Sequence, residues 1–97
     1  MAGYLIVRVN VTDWEQYRKY TDVTPGVIAK YGGRFIVRGG RTQCLEGPDE
    51  SARIVVVEFP SFKKAVECYN SPEYSAAKAI RMGAASAQFL AVEGAEE

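Results

Sequence analysis

Alternating apolar and polar positions predict the strands of this chain. Residues 4–11 place Leu5, Val7 and Val9 on one apolar face, and Tyr4 and Arg8 on a mixed face. Residues 34–38 form a second strand between two glycine pairs, and the second pair is expected to bend or bulge it. The β-branched run 53–59 predicts a second central strand, and residues 87–92 predict the last one.

Helical spacing fills the intervals between these strands. Thr12 and Glu15 have the spacing of a capping box, so a helix is predicted to begin there. Pro25 lacks an amide N–H and predicts a kink or a restart within that helix. Ser61 is the expected N-cap of a second helix through residue 69. Ser71 and the proline that follows predict a break and a new helix to about residue 82.

The predicted order is β-α-β-β-α-β, the ferredoxin-like unit of the α+β class. We expect a single domain over residues 1–97, with helices on one face of a four-stranded antiparallel sheet. The other face would carry Ile6, Ile36, Val55 and Val57, too apolar for water, beside arginines too charged for a monomer core. A homodimer packed sheet against sheet satisfies both requirements.

Composition excludes several classes of function. The 97 residues include 12 basic and 12 acidic side chains, which gives no electrostatic reason to bind nucleic acid or anionic membrane. No histidine is present, so a Ser-His-Asp triad, histidine-ligated haem and a histidine zinc site are excluded. Cys44 and Cys68 lack CxxC spacing and are predicted to be reduced thiols, with Cys68 buried. We expect no metal or cofactor.

The start of the chain has neither the basic region nor the apolar core of a signal peptide. No apolar run has the length of a membrane span. The expected location is therefore the cytoplasm. Residues 94–97 are expected to be a frayed acidic end.

Several segments together resemble the DUF1330 family, a domain of unknown function in the dimeric α/β-barrel superfamily. They include Gly3-Tyr4, Thr12-Asp13, residues 31–40, residues 58–61 and residues 69–74, and they span nearly the whole chain. The resemblance implies a ferredoxin-like protomer whose sheet packs on its twin. It also implies a ligand cleft between sheet and helices, since superfamily members include cofactor-free oxygenases, isomerases and haem enzymes. It does not imply a particular reaction.

Glu58 is the candidate catalytic residue. Alternation places it with Ile54 and Val56, on the face expected to lie under the helices. Burial would raise the pKa of this carboxyl toward that of a general base. The alternative is a glutamate at a strand end that reaches solvent or forms a structural ion pair.

Four other side chains are candidate substrate ligands. Tyr74 and Arg81 fall on one side of the last helix together with Lys78, and Arg81 could pair with Glu58 or clamp a substrate carboxylate. Tyr17 and Tyr69 could supply phenol donors nearby. The alternative is that these tyrosines are core aromatics with hydrated hydroxyls.

Three arginines are assigned to the dimer interface: Arg8, Arg34 and Arg38. Across a two-fold axis they could bind an anion or form salt bridges with acidic groups. Ser71 has no adjacent base and is explained by helix capping rather than by nucleophilic catalysis.

Three classes of function remain to be compared. The first is a cofactor-independent enzyme of oxygenase or isomerase type, acting on a small organic molecule in the cleft. The second is a ligand-binding or accessory protein without turnover. The third is an RNA-binding module of the same topology. Such a module needs exposed aromatic residues on its middle strands and a basic charge balance, but residues 53–57 contain no aromatic residue and the net charge is zero.

Overall fold

The computed structural model describes residues 1–95; Glu96 and Glu97, part of the end predicted to be frayed, lie outside the described residues. Within this described part of the chain, seven elements follow one another: β1 (Gly3–Val11), α1 (Trp14–Lys30), β2 (Arg34–Arg38), β3 (Arg53–Phe59), α2 (Phe62–Tyr69), α3 (Pro72–Arg81) and β4 (Ala85–Glu93). The predicted β-α-β-β-α-β order is confirmed, and the second helical region is divided into α2 and α3 by Ser71.

The four strands form one antiparallel sheet in the order β2-β3-β1-β4. Side chains alternate across this sheet, so the buried residues of the two central strands identify the face that the helices cover. That face carries Leu5, Val7 and Val9 from β1, and Val55, Val57 and Phe59 from β3. The prediction that Val55 and Val57 lie on the opposite face is wrong, because they pair with Val7 and Leu5 and share their buried face. The opposite face, called the open face below, is covered by none of the helices within residues 1–95.

Local sequence chemistry explains where the helices begin. Asp13, rather than the predicted Thr12, caps α1 by accepting a hydrogen bond from the amide of Gln16 at 3.1 Å. Ser61 caps α2, and Ser71 caps α3 by accepting from the amide of Tyr74 at 3.0 Å. Both serine predictions are confirmed.

Of the kink or restart predicted at Pro25, the restart is wrong, because α1 runs through the proline as one helix. At its end Gly32 adopts a φ of 78° and its amide bonds the carbonyl of Ala29, which closes the helix before β2. A second positive φ, 70° at Gly39, turns the chain out of β2 into a long connection without strand or helix.

A β-bulge interrupts β2. Phe35 pairs with Val57, but Val37 pairs with Val56, so Ile36 is an extra residue opposite the β3 ladder. The shift reverses the faces that follow it. Phe35 and Arg38 therefore share the helix face, whereas Arg34 and Val37 point to the open face.

Candidate functional site

A small cavity lies between α1 and the helix face of the sheet. Residues of α1, including Tyr17, Tyr20 and Thr24, form one wall, and side chains of the two central strands, including Val7 and Val55, form the other. Its volume is about 40 Å³. One water molecule needs roughly 10–15 Å³ on this measure, so the cavity holds a few water molecules or a small organic group.

Two tyrosine hydroxyls meet inside this region. Tyr20 on α1 and Tyr74 on α3 are both buried and share a hydrogen bond with 2.5 Å between their oxygens. Burial raises the pKa of both phenols, so they stay protonated near neutral pH and can act as hydrogen-bond donors. Neither can serve as a base there.

Arg81 is the most unusual residue of the site. It lies in the last turn of α3, only 5% of it is exposed, and it lines the cavity. Its guanidinium carbon is 5.6 Å from the centre of the Tyr20 ring and 5.1 Å from that of Phe89. Cation–π contact with two rings compensates in part for the loss of water around a buried cation.

Two further arginines reach the cavity from the sheet. Arg53 shares the helix face with Val55, and its guanidinium occupies space that a side chain at Gly39 would fill, since a Cβ there would lie 2.6 Å from Nε. Arg38 packs with its guanidinium carbon 4.3 Å from the centre of the Phe35 ring. The prediction that Arg38 faces a partner subunit is wrong, because the bulge at Ile36 turns it toward the helices.

The charges of all three arginines act on the phenol of Tyr17. Burial raises the pKa of its phenol, and the charges of Arg53, Arg81 and Arg38 act in the opposite direction. Tyr17 therefore lies near enough to all three guanidinium groups for each to favour a negative charge at its hydroxyl.

A larger groove borders the cavity beside β4. Its volume is about 660 Å³, and Tyr69, Arg81 and Phe89 line both spaces. Lys78 also borders the groove, with its ammonium 5.3 Å from the centre of the Tyr69 ring. A molecule too large for the cavity could thus keep one end in it and the remainder in the groove.

Glu58 does not belong to this site. It lies on the open face opposite Tyr4, because Val55, Val57 and Phe59 are the members of β3 that face the helices. One carboxylate oxygen of Glu58 accepts from Nε of Arg34 at 2.8 Å, and the other accepts from the hydroxyl of Tyr4 at 3.3 Å. The hydrogen bond from Arg34 lowers the pKa of Glu58. The predictions of a helix-side position and a raised pKa are therefore wrong.

Arg8 and Arg34 do lie on the open face, as expected. Each is paired within its own chain, Arg8 with Glu50 at 2.6 Å and Arg34 with Glu58 at 2.8 Å. The open face also exposes apolar side chains: Ile36, Val37, Leu90 and Val92.

The structure brings the four predicted ligand residues together, since Tyr17, Tyr69, Tyr74 and Arg81 all line the cavity. Sequence reasoning missed Tyr20, Arg53 and the cavity position of Arg38. A signal for Tyr20 was present, because it precedes Thr24 and Ile28 at intervals of one helical turn. Arg53 alternates with Val55 and Val57 and so had to share their face.

Cys68 is fully buried beside the cavity, as predicted, and burial raises the pKa of its thiol to about 11. Among residues 1–95, no aspartate, glutamate, lysine or histidine lines the cavity. Nor does this part of the chain hold a group of three or more Cys, Asp or Glu side chains arranged to bind a metal ion. No helix in the described structure has the length and apolarity to cross a bilayer.

Residues 2–95 of the sequence match a family model whose description is domain of unknown function (DUF1330). The chain belongs to the DUF1330 family. No curated protein matches this DUF1330 chain at a significant level.

Solved structures share the fold of this DUF1330 chain. The RPA0582 protein of unknown function from Rhodopseudomonas palustris is 22% identical, with a TM-score of 0.77 over 99% of this chain and 84% of that one. SnoaB, a cofactor-independent oxygenase from Streptomyces nogalater, is 9% identical, with a TM-score of 0.69 over 99% of this chain and 95% of that one. A dimeric protein of unknown function and ferredoxin-like fold from Bacteroides fragilis is 16% identical, with a TM-score of 0.57 over 96% of each chain. These likenesses establish the ferredoxin-like fold.

Proposed function

We propose that this protein binds a small organic molecule in the cavity beneath α1 and acts on it without a cofactor. The observation that carries the proposal is the cavity of about 40 Å³, walled by aromatic and aliphatic side chains and supplied with phenol and guanidinium donors, together with the groove of about 660 Å³ that adjoins it and takes the remainder of a larger molecule. Concave, mostly apolar sites with a few convergent polar groups are the usual form of ligand sites.

The chemistry of the lining narrows the type of reaction. An isomerase that moves a proton needs a base near its substrate. Within the described chain, the cavity offers raised-pKa phenols, a raised-pKa thiol and arginines, and Glu58 lies on the other face of the sheet. This set favours an oxygenase in which the substrate itself supplies the electrons that reduce O₂. SnoaB, which shares the fold, is described as a cofactor-independent oxygenase.

The same lining supports a second candidate, a binding protein without turnover. Burial raises the pKa of the Tyr17 and Tyr74 phenols and of the Cys68 thiol, so these groups stay protonated at neutral pH and the site could hold a ligand unchanged. The two candidates share one cavity and differ in whether bound substrate reacts with O₂.

Ligand binding can be tested by filling the cavity. Thr24 is buried and lines it, whereas its neighbour Val23 is exposed on the outer side of α1. We expect Thr24→Phe to abolish binding of aromatic fragments detected by ligand-observed NMR, and Val23→Phe to leave it unchanged. Circular dichroism would verify that both variants fold. Absence of binding to the wild-type protein by any fragment, and of any small molecule released from the purified protein, would refute the proposal.

Turnover is tested separately with an oxygen electrode. Phenols and hydroquinones that bind in the fragment assay would be supplied one at a time, and O₂ uptake compared with substrate loss. Uptake that requires the wild-type protein and fails with Thr24→Phe supports the oxygenase. Binding without O₂ uptake across the bound set favours the binding protein.

We also propose that two chains pair through the open face. Supporting observations are its exposed apolar side chains and the ion pairs that leave Arg8 and Arg34 neutralised on that face. A related fold from Bacteroides fragilis is described as dimeric. Arg8 and Arg34 would then lie at the interface, and Arg38, on the helix face, would not.

Dimerisation through the open face predicts that a charge introduced on this face separates the two chains. Leu90 is 52% exposed at the open face, opposite Ile6, and Leu45 is 88% exposed in the connection between β2 and β3. Size-exclusion chromatography with light scattering should give twice the chain mass for the wild type and for Leu45→Asp, and the single-chain mass for Leu90→Asp. A wild-type monomer at micromolar concentration, or a dimeric Leu90→Asp, would contradict an interface on this face.

A further inference from the structure

Three arginines surround the cavity without an acidic partner among residues 1–95. Arg38, Arg53 and Arg81 line it, and the part of its lining that the structure describes contains no aspartate or glutamate. The ion pairs found in the described chain use other cations: Arg8, Lys30, Arg34 and Lys64. The chain is neutral as a whole, so this concentration of positive charge is local.

Arg81 is an incomplete hydrogen-bonding centre. It is 5% exposed, and within the described structure its Nε is a buried nitrogen without a hydrogen-bond partner. Buried charged donors are almost always satisfied, because leaving one unpaired is strongly destabilising. The Tyr20 and Phe89 rings flank the guanidinium but accept no conventional hydrogen bond from it. An acceptor supplied from outside the described chain would complete this centre.

The rest of the cavity lining indicates which kind of molecule could supply the hydrogen-bond acceptor for Arg81. Apart from the arginines and hydroxyls, the walls are apolar, formed largely by Leu5, Val7, Val9, Val55, Val57 and Phe89. A fully hydrated inorganic anion gains little from such walls. An organic acid matches both parts, since its carboxylate fits the planar fork of a guanidinium and its carbon skeleton fits the apolar side chains.

We propose that the ligand of this cavity is a small organic carboxylate whose charged end is bound by Arg81, with Arg53 as the second cation. This inference rests on the proposed function, because it names the class of molecule that the cavity takes. Arg38 is the third cation at the cavity, and it occupies a more exposed position over the Phe35 ring.

The test compares acids with their uncharged isosteres. Benzoate and benzamide, and likewise propionate and propionamide, would be titrated separately into the wild-type protein. Binding would be followed by calorimetry and by the fluorescence of Trp14, whose ring packs edge-to-face on that of Tyr17 with 5.6 Å between the ring centres. Each acid should bind at least about tenfold more tightly than its amide, as expected for a charge-assisted hydrogen bond. Inorganic phosphate should neither bind nor compete.

Matched variants locate the anion. Arg81→Met should weaken benzoate binding by about tenfold or more and leave benzamide binding nearly unchanged. Arg81→Lys should restore part of the affinity, since it keeps the charge but loses the fork. Arg18→Met, at an exposed position on α1, is the control and should bind benzoate as the wild type does.

Distinct results separate this inference from the proposed function. Equal affinity for acids and amides, or undiminished benzoate binding by Arg81→Met, would overturn the carboxylate while leaving a small-molecule cavity in place. Competition by phosphate at the affinity of benzoate would show a general anion site and would also overturn it. If neither acids nor amides nor other fragments bind, the proposed function itself fails. Should Arg81→Met not fold, Arg53→Met and the wild-type comparison of acid with amide decide the question.

Discussion

The hydrogen bond between Tyr20 and Tyr74 gives the sharpest prediction about the energetics of the site. Both side chains are almost fully buried, 7% and 3% exposed, and their hydroxyls bond each other across the junction of α1 and α3. Tyr20→Phe removes one hydroxyl and leaves the other, still buried, without its hydrogen-bond partner. A buried hydroxyl without its partner costs about 1–3 kcal/mol, so each single variant should lose stability of that order.

The double variant should be less damaged than the sum of the two single ones. In Tyr20→Phe/Tyr74→Phe no hydroxyl remains unpaired, and replacing both partners by apolar groups of similar shape is close to neutral. We therefore expect a coupling free energy of about 1 kcal/mol or more from the double-mutant cycle. For a domain of this size, each kcal/mol corresponds to about 4–8 °C in Tm.

Urea unfolding followed by circular dichroism, at one fixed protein concentration, measures the four stabilities. Tyr4→Phe is the control, because the Tyr4 hydroxyl is only partly buried and its bond to Glu58 is long, at 3.3 Å. It should cost less than either buried variant. If the effects of Tyr20→Phe and Tyr74→Phe add to within about 0.5 kcal/mol, the two hydroxyls are not coupled and the reasoning is wrong.

Two further predictions concern contacts away from the cavity. Glu73 accepts hydrogen bonds from Lys30 and Tyr31, and chiefly the Lys30 bond lowers its pKa from 4.5 to about 2. A carboxyl whose pKa is lower in the folded than in the unfolded protein stabilises the fold above the unfolded pKa, and this stabilisation is lost as the pH falls. Glu73→Gln should therefore be less stable than the wild type at pH 7, and the difference should vanish between pH 4.5 and 2. A difference in the urea midpoint that persists at pH 2 would contradict this. A Cβ at Gly3 would lie 2.4 Å from the backbone of Phe62, whereas one at Gly26 in α1 would meet nothing within 4 Å. Gly3→Ala should therefore lose about 1–3 kcal/mol of unfolding free energy and Gly26→Ala should gain about 0.4–1 kcal/mol, and equal effects in urea unfolding would show that the packing argument is wrong.

The order and type of the elements could be read from the sequence because local chemistry specifies them. Serine at positions 61 and 71 caps helices in any context, and the glycine pair before Arg34 ends a helix without help from distant residues. The clustering of Tyr74 with Arg81 also followed from local spacing, since two turns of one helix bring both to the same side.

The face of Glu58 could not be read in the same way. Alternation in β3 separates Val55 and Val57 from Ile54 and Val56, but both sets are apolar, so composition does not say which set the helices cover. The answer depends on pairing with β1, which places Glu58 beside Tyr4. Pairing is a tertiary property, and a glutamate at the end of a strand is equally compatible with either face.

Arg38 shows a second limit. Strict alternation puts Arg34 and Arg38 on one face. The second glycine pair did predict a bend or bulge, but it did not indicate that the extra residue is Ile36. Bulges depend on the partner strand, where Val56 and Val57 accept three residues of β2 opposite two of their own.

That bulge has a consequence for how the binding site can change over generations of sequence. The third cation of the cavity depends on the bulge in β2, and not only on the identity of residue 38. Unbroken alternation through the same residues would turn Arg38 to the open face, whereas loss of Ile36 would remove the bulge and leave Arg38 opposite Val55 on the helix face. A relative that keeps this arginine but pairs β2 without the bulge would therefore lack the third cation, a difference that a comparison of aligned residue types alone would overlook.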